Sequence, residues 1–371
     1  MKKKVLFLIK VPPPVTGATV MNERIYKSSS IRDSFYTDFI RVSYLRDRDD
    51  FGIFSVRKLV AIVNTIAAIL KKLITNKPDL FYFQVTPNGV GFVRDSIYML
   101  LVKLFKVPIV LHMRGKGVKS STNSYWRRKY YEFILRNTSI ICHSDIVSKD
   151  FTHVFKGQYH VVENGIPVDV TEDQILHKSD SDIPKLIYLS TLMKNKGIFD
   201  FVEALGILKR ENLRFEAIII GEAKNDNTLA KLRKLIDEKG LSESVLILGS
   251  KFGEEKFTHL VDSDIFIFPT LFEAFGNVVL EAFQAQLPVV ATKEGSLPII
   301  IDNGVDGLLY EKGNVHELSK KIKKLILNPD LRRSMGKKGR KKFLERYTFQ
   351  NFEVRMTNTL NRIIESNGAD F

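Results

Sequence analysis

One cysteine, Cys142, stands in 371 residues, so no disulfide closes within the chain and no cysteine-rich zinc site can be assembled. A reducing compartment, the cytoplasm, suits such a sequence. Long apolar runs are missing as well. The opening Met1-Lys2-Lys3-Lys4-Val5-Leu6-Phe7-Leu8-Ile9 has the basic start of a signal peptide, but Lys10 and then Pro12-Pro13-Pro14 end the apolar run. It reads as a first strand. The stretch from Leu59 to Leu70 is interrupted by Asn64 and Thr65 and falls short of the roughly 18–20 residues a bilayer-crossing helix needs. The common nucleotide fingerprints are absent too. After the first strand comes Pro12-Pro13-Pro14-Val15-Thr16-Gly17-Ala18 in place of Gly-x-Gly-x-x-Gly, and Gly115-Lys116-Gly117-Val118-Lys119-Ser120 fails the spacing of a phosphate loop. Kinase, ATPase and dehydrogenase readings lose support.

What is present is globular. Apolar residues make up 44% and charged residues 27%, and the length suits two domains. Short β-rich runs alternate with segments of helical period, the pattern of parallel α/β domains. Strands are expected at Lys4–Val11, Thr37–Val42, Leu80–Thr86, Val107–His112, Thr138–His143 and Tyr159–Glu163, with helices near 18–30, 56–75, 91–106, 124–136 and 144–156. A polar, acidic stretch at 171–184 reads as a linker between a first domain at 1–170 and a second at 185–347. In the second, strands are expected at Leu186–Ser190, Phe215–Gly221, Val245–Gly249, Asp264–Pro269, Pro288–Thr292 and Gly307–Tyr310. A last amphipathic helix within 348–371 is expected to cross back to the first domain. Two doubly wound domains facing a cleft are the economical architecture.

Net charge is +15, and it is unevenly placed: residues 1–170 hold 27 Lys and Arg against 13 Asp and Glu, while residues 171–371 hold 30 against 29. A generally basic surface would not leave the second half near neutral. The first half is therefore expected to meet an anionic partner.

The strongest local signal is Pro269-Thr270-Leu271-Phe272-Glu273-Ala274-Phe275-Gly276-Asn277-Val278-Val279-Leu280-Glu281-Ala282. It follows an expected strand and leads into a helix, whose first N–H groups, around Phe275 to Val278, suit phosphate or sugar oxygens. Glu273 before the helix and Glu281 two turns along it could face one hydroxyl-bearing ligand. In isolation, an acidic residue favouring a helix dipole and an ordinary surface glutamate would look the same. The context extends the pattern: Gln286-Leu287-Pro288-Val289-Val290, Gly295-Ser296-Leu297-Pro298, Asp302-Asn303-Gly304, Asp306-Gly307-Leu308-Leu309, Ser190-Thr191-Leu192-Met193-Lys194-Asn195-Lys196-Gly197 and Val162-Glu163-Asn164-Gly165-Ile166-Pro167. Together these resemble the retaining glycosyltransferases of family 4, which have the GT-B fold.

That resemblance implies roles. Lys196 would neutralise the donor diphosphate and stabilise charge on the leaving group. Glu281 would hold the nucleotide ribose, Glu273 the transferred sugar, and the amides of Phe275, Gly276, Asn277 and Val278 sugar or phosphate oxygens. The nucleobase would lie against Gly249-Ser250-Lys251, with Gly17 and Thr191 in the loops after the first strand of each domain. The donor implied is a nucleotide diphosphate sugar, a UDP-sugar, with no separate cofactor and no metal. Two departures stand out: Ser190-Thr191 replaces a common Gly-Arg, removing a cation, and Gly295-Ser296 replaces Gly-Gly.

In the first domain, His112 ends a strand and is expected at the cleft by the donor sugar, though a structural histidine fits the same position. Arg114, Lys116 and Lys119 follow in a glycine-containing loop suited to an acceptor phosphate or to plain solvation. His143, His153 and His160 lack metal-ligand spacing. Arg127, Arg128 and Lys129 sit among aromatics in Tyr125–Tyr131, suited to an anionic membrane edge; 59–70 reads as a mostly buried helix. Nucleic acid is not expected, for want of a binding module. The resulting expectation is a metal-independent hexosyltransferase-like enzyme, peripheral at the inner face of the cell membrane. It would transfer sugar to a lipid-linked or cell-envelope glycan. An epimerase or phosphorylase of similar form, or a non-catalytic basic adaptor, are the alternatives.

Overall fold

The computed structural model describes residues 2–13, 15–42, 56–176, 182–223 and 225–368. The chain divides into two compact units, Met1–Asn164 with Phe352–Phe371, and Gly165–Asn351. The first alternates β1 (Lys4–Lys10), α1 (Gly17–Lys27), α2 (Ser29–Ser34), β2 (Tyr36–Val42), α3 (Val56–Thr75), β3 (Leu80–Phe83), α4 (Gly89–Leu104) and β4 (Ile109–His112). It continues through α5 (Val118–Ser121), α6 (Tyr125–Leu135), β5 (Ser139–Cys142), α7 (Asp145–Ser148) and β6 (Tyr159–Val161). All strands are parallel, in the order β2-β1-β3-β4-β5-β6. Central strands β3 and β4 are buried at every position, which is why they read as unbroken apolar runs rather than alternating ones. Helices α3, α4 and α6 share one core with one face of this sheet, through Ile69 and Leu73, Phe92 and Met99, and Ile134 and Leu135.

The second unit begins with α8 (Glu172–Leu176), followed by β7 (Lys185–Leu189), α9 (Ile198–Arg210), β8 (Glu216–Ile220), α10 (Asp226–Glu238), β9 (Val245–Gly249), α11 (Gly253–Val261) and β10 (Ile265–Phe268). Then come α12 (Asn277–Gln284), β11 (Val289–Thr292), α13 (Leu297–Ile300), β12 (Gly307–Tyr310), α14 (Val315–Ile326) and α15 (Pro329–Lys342). Its parallel order, β12-β11-β10-β7-β8-β9, places the reversal of chain direction between β7 and β10. One core covers each face of the sheet: α12 packs with Ile187 and Leu189 of β7, and α9 with Leu186 and Tyr188. Helix α16 (Phe349–Gly368) starts in this unit, and from Phe352 it belongs to the first.

The twelve expected strands all form; in the first unit β1, β3, β5 and β6 stop one to three residues early, β4 starts two residues late, and β2 starts one residue earlier, at Tyr36. The helices differ more. The 18–30 segment breaks at Ser28, which caps a second short helix by accepting from Ile31 N at 3.1 Å. The 144–156 segment is helical only over α7. Residues 171–184 are not simply a linker. Arg340, buried in the second unit, donates to Glu172 Oε1 at 2.8 Å and Val170 O at 3.2 Å and ties α8 down, while 177–181 lie outside the described residues.

Candidate active site

In a doubly wound sheet the loops after the two strands flanking the reversal lead to helices on opposite faces and leave a crevice at the carboxyl edge. In the second unit those are the loops after β7 and β10, which carry Lys196 and Glu273. The structure brings them together. Lys196 Nζ lies 2.9 Å from Glu273 Oε2 and donates to Phe272 O at 3.1 Å, with both side chains mostly but not wholly covered. The other carboxylate oxygen, Oε1, accepts from Ala274 N at 2.9 Å.

Backbone contacts set this meeting. Asn195 O accepts from Leu271 N at 2.9 Å and Phe272 N at 3.2 Å, zipping one loop to the other. The approach requires glycine at 197. Its φ is +73°, and an added Cβ would fall 1.9 Å from Pro269 O. From the next strand, Thr292 Oγ1 donates to Thr270 O at 2.6 Å. The Gly295-Ser296 departure finds its reason here. A Cβ on Gly295 would sit 2.3 Å from Glu273 O, whereas Ser296, wholly buried, donates both its N–H (3.0 Å) and its hydroxyl (2.9 Å) to Ala274 O.

Helix α12 starts beyond Gly276, a left-handed residue at φ +98° that offers no side-chain cap. Val279 N donates back to Gly276 O at 3.0 Å, and the positive end of the helix dipole lies at the carboxyl edge of the sheet. Phe275 is buried edge-to-face against Tyr347, so only its backbone can serve a ligand. Asn277 and Val278 are half-buried. Further along the helix, Glu281 pairs with Lys256 Nζ at 2.8 Å. Lys256 has no place in the sequence reading. Its motif-free position on α11 comes beside Glu281 only because α11 packs on α12. Thr191 supplies no side-chain cation, and its carbonyl accepts from Tyr188 OH at 3.3 Å. Gly249 has φ +70° with open space around it, so the turn itself demands glycine. Lys251 is drawn to Glu255, and Phe252 beside it is exposed.

The first unit departs further from expectation. Gly17 opens α1, exposed, behind a capping box of Thr16 and Thr19. His112, the last residue of β4, is wholly buried, and Nδ1 meets the Tyr82 hydroxyl at 2.7 Å. Burial, reinforced by the nearby Arg114 cation, pushes its pKa well below the usual histidine value. His143, 5.7 Å away between ring centroids, is pushed down to about 3 for the same reasons. Arg114 lies in the loop after β4, turned inward. It is buried, donates to Asn164 Oδ1 at 2.8 Å, and leaves Nε and Nη2 with no hydrogen-bond partner among the described residues. Lys116 is half-buried and Lys119 exposed, but the amides of their loop are taken. Asp150 accepts from Gly117 N, Val118 N and Lys119 N at 2.8, 2.9 and 3.3 Å and so holds the backbone of that loop. On α6, Arg127 is exposed, while Arg128 and Lys129 share Glu132 at 3.0 and 2.8 Å. Among the described residues no three His, Cys, Asp or Glu side chains come together as a metal donor set.

Residues 169–342 match the family of glycosyl transferases group 1. The capsular polysaccharide biosynthesis glycosyltransferase CapM of Staphylococcus aureus is 27% identical over 82% of this chain and 83% of its own length. The uncharacterized glycosyltransferase MJ1178 of Methanocaldococcus jannaschii is 26% identical over 70% of each. Among solved structures, Anabaena HepE in complex with UDP superimposes with a TM-score of 0.77 at 18% identity, over 97% of this chain and all of that one. The fold is GT-B, two Rossmann-like domains, and the glycosyl transferases group 1 match lies in the second of them.

Proposed function

We propose that this protein is a retaining, metal-independent glycosyltransferase of family 4. It takes a sugar from a nucleotide diphosphate sugar, a UDP-sugar, and delivers it to a hydroxyl of a lipid-linked or cell-envelope glycan. It works at the cytoplasmic face of the membrane, with the basic first unit on the acceptor side. The observation that carries the reading is the meeting of Lys196 and Glu273 at the reversal point of the second sheet, beside the start of α12. HepE, solved with UDP and with UDP-glucose, and CapM, named for capsular polysaccharide, support the donor and product class.

In this reading the acceptor oxygen attacks the anomeric carbon from the face the diphosphate leaves. The carbon–oxygen bond to the diphosphate breaks, and the acceptor proton passes to the departing phosphate oxygen. The products are the glycoside, with configuration kept, and the nucleoside diphosphate. Lys196 and the amides at the start of α12 stabilise the charge that grows on the leaving group. Glu273 holds sugar hydroxyls and Glu281 the ribose, each as an acceptor.

Thermal stabilisation by UDP, UDP-glucose and other nucleotide sugars tests the donor, since a ligand at 100 times its dissociation constant adds about 2.7 kcal/mol. Acceptor-dependent transfer in the presence of chelator tests the reaction. Stabilisation by no nucleotide sugar would sink the proposal.

A further inference from the structure

Helices α3, α4 and α6 lie side by side on one face of the first sheet, with α4 in the middle. The inner side of each contributes to a single core. Phe92 of α4 stacks on Tyr131 of α6 at 3.8 Å, and Lys103 of α4 donates to Ile134 O and Arg136 O at the end of α6. The three outer sides therefore adjoin, and each carries exposed apolar residues among bases.

Along α4, Val90, Val93, Ile97, Leu100 and Leu104 recur at helical spacing within one stripe, and all are exposed, Val90 by 86% and Leu104 by 80%. On α3 the exposed Val56, Val60 and Val63 make a second stripe, which corrects the expectation that 59–70 is mostly buried: its core contact is the opposite side, at Thr65 and Ile69. On α6, Trp126, 80% exposed, and Phe133 lie one above the other. Single exposed apolar residues are normal on any protein. Three adjacent rows are not, and they mark a surface that meets something apolar.

Charge says what. The three helices carry nine Lys and Arg and only two acidic residues, Asp95 and Glu132. Asp95 is wholly buried against Lys10 and Arg94, and Glu132 is already shared by Arg128 and Lys129. A second copy of this chain would set basic face against basic face. A lamella with an apolar interior and an anionic surface complements both properties at once.

We propose that the outer face of α3, α4 and α6 docks on an anionic phospholipid bilayer, with the α4 stripe entering the headgroup boundary and bases of α3 and α6 meeting lipid phosphates. This extends the membrane part of the proposed function and rests on it. It moves the contact from the 125–131 segment alone to a three-helix surface centred on α4.

Trp126 is the only tryptophan, so its emission reports this face alone. With the full chain, vesicles of phosphatidylglycerol in phosphatidylcholine should blue-shift Trp126 and co-sediment the protein, and pure phosphatidylcholine should do neither. The double variant Ile97→Asp, Leu100→Asp replaces exposed side chains, so it should keep the wild-type melting temperature and UDP affinity while its vesicle partitioning falls about 10-fold or more. Wild-type binding with an unaffected variant would overturn the α4 surface and leave the membrane reading standing. No wild-type binding to anionic vesicles would overturn both. Equal binding to neutral vesicles would remove the charge argument. Self-association abolished by the variant, without vesicle binding, would assign the face to a second copy instead.

Discussion

Lys196 and Glu273 belong to loops after two different strands, 77 residues apart in sequence, and meet at 2.9 Å. The cation assigned to the leaving diphosphate is thus held by the carboxylate assigned to the sugar. In the proposed reaction an arriving donor would turn Lys196 toward phosphate while Glu273 took up hydroxyls, its contact with Ala274 N at 2.9 Å keeping that carboxylate in place.

Removing the cation should cost turnover. Lys196→Ala is expected to lower the transfer rate by about 100-fold or more, on the scale of losing one preorganised charge-stabilising donor. Initial rates at saturating donor, with chelator present throughout, measure this. Activity that disappears in chelator and returns with manganese would contradict the mechanism.

The two glutamates should separate. Glu281→Ala is expected to weaken UDP and UDP-sugar binding together, because its ligand is the ribose common to both. Glu273→Ala should damage turnover and leave UDP binding nearly intact. Calorimetry with UDP alone tells them apart, and wild-type affinity in both variants would refute the division of roles. Lys256→Met, which removes the partner of Glu281 at 2.8 Å, should weaken UDP binding in the same direction as Glu281→Ala and by less.

Gly197→Ala should destabilise the second unit by about 3 kcal/mol or more. It adds a left-handed backbone penalty to a clash with Pro269 O that flexible side chains cannot relieve. Chemical denaturation of the variant checks this. By contrast Gly249→Ala, equally left-handed but in open space, should cost only about 1–2 kcal/mol.

Stability should fall on acidification below about pH 6.5. His112 and His143 stay neutral in the fold while an unfolded histidine titrates near 6.5, so the unfolded chain binds more protons as pH drops. Their contribution is whole above the unfolded value and is lost downward, for His143 as far as about pH 3. Each accounts for up to about 1.4 kcal/mol per pH unit. Urea midpoints between pH 7.5 and 5 measure the slope, and His143→Gln should flatten it. A slope identical in the variant would show that other groups carry it.

The sequence by itself was enough for twelve parallel strands and two α/β units, and its family resemblance singled out Lys196, Glu273 and Glu281. The reason is that a strand buried on both faces must be apolar throughout, and a loop leaving such a strand is marked by where the run stops. It was also enough to place the excess positive charge in the first half. Tertiary structure alone decided which of those residues touch. The strand order, with β10 returning beside β7, pairs Lys196 with Glu273, and the packing of α11 on α12 brings up Lys256 without any motif. It also decided exposure, which periodicity reports only as a face and not as a direction. His112 at the end of a strand and Arg114 in the loop after it were enclosed by neighbours, and the α4 stripe, apolar enough to be core, was left outside. An amphipathic pattern says that a helix has two sides. Only the neighbours packed around it determine whether the second side meets water, protein or lipid.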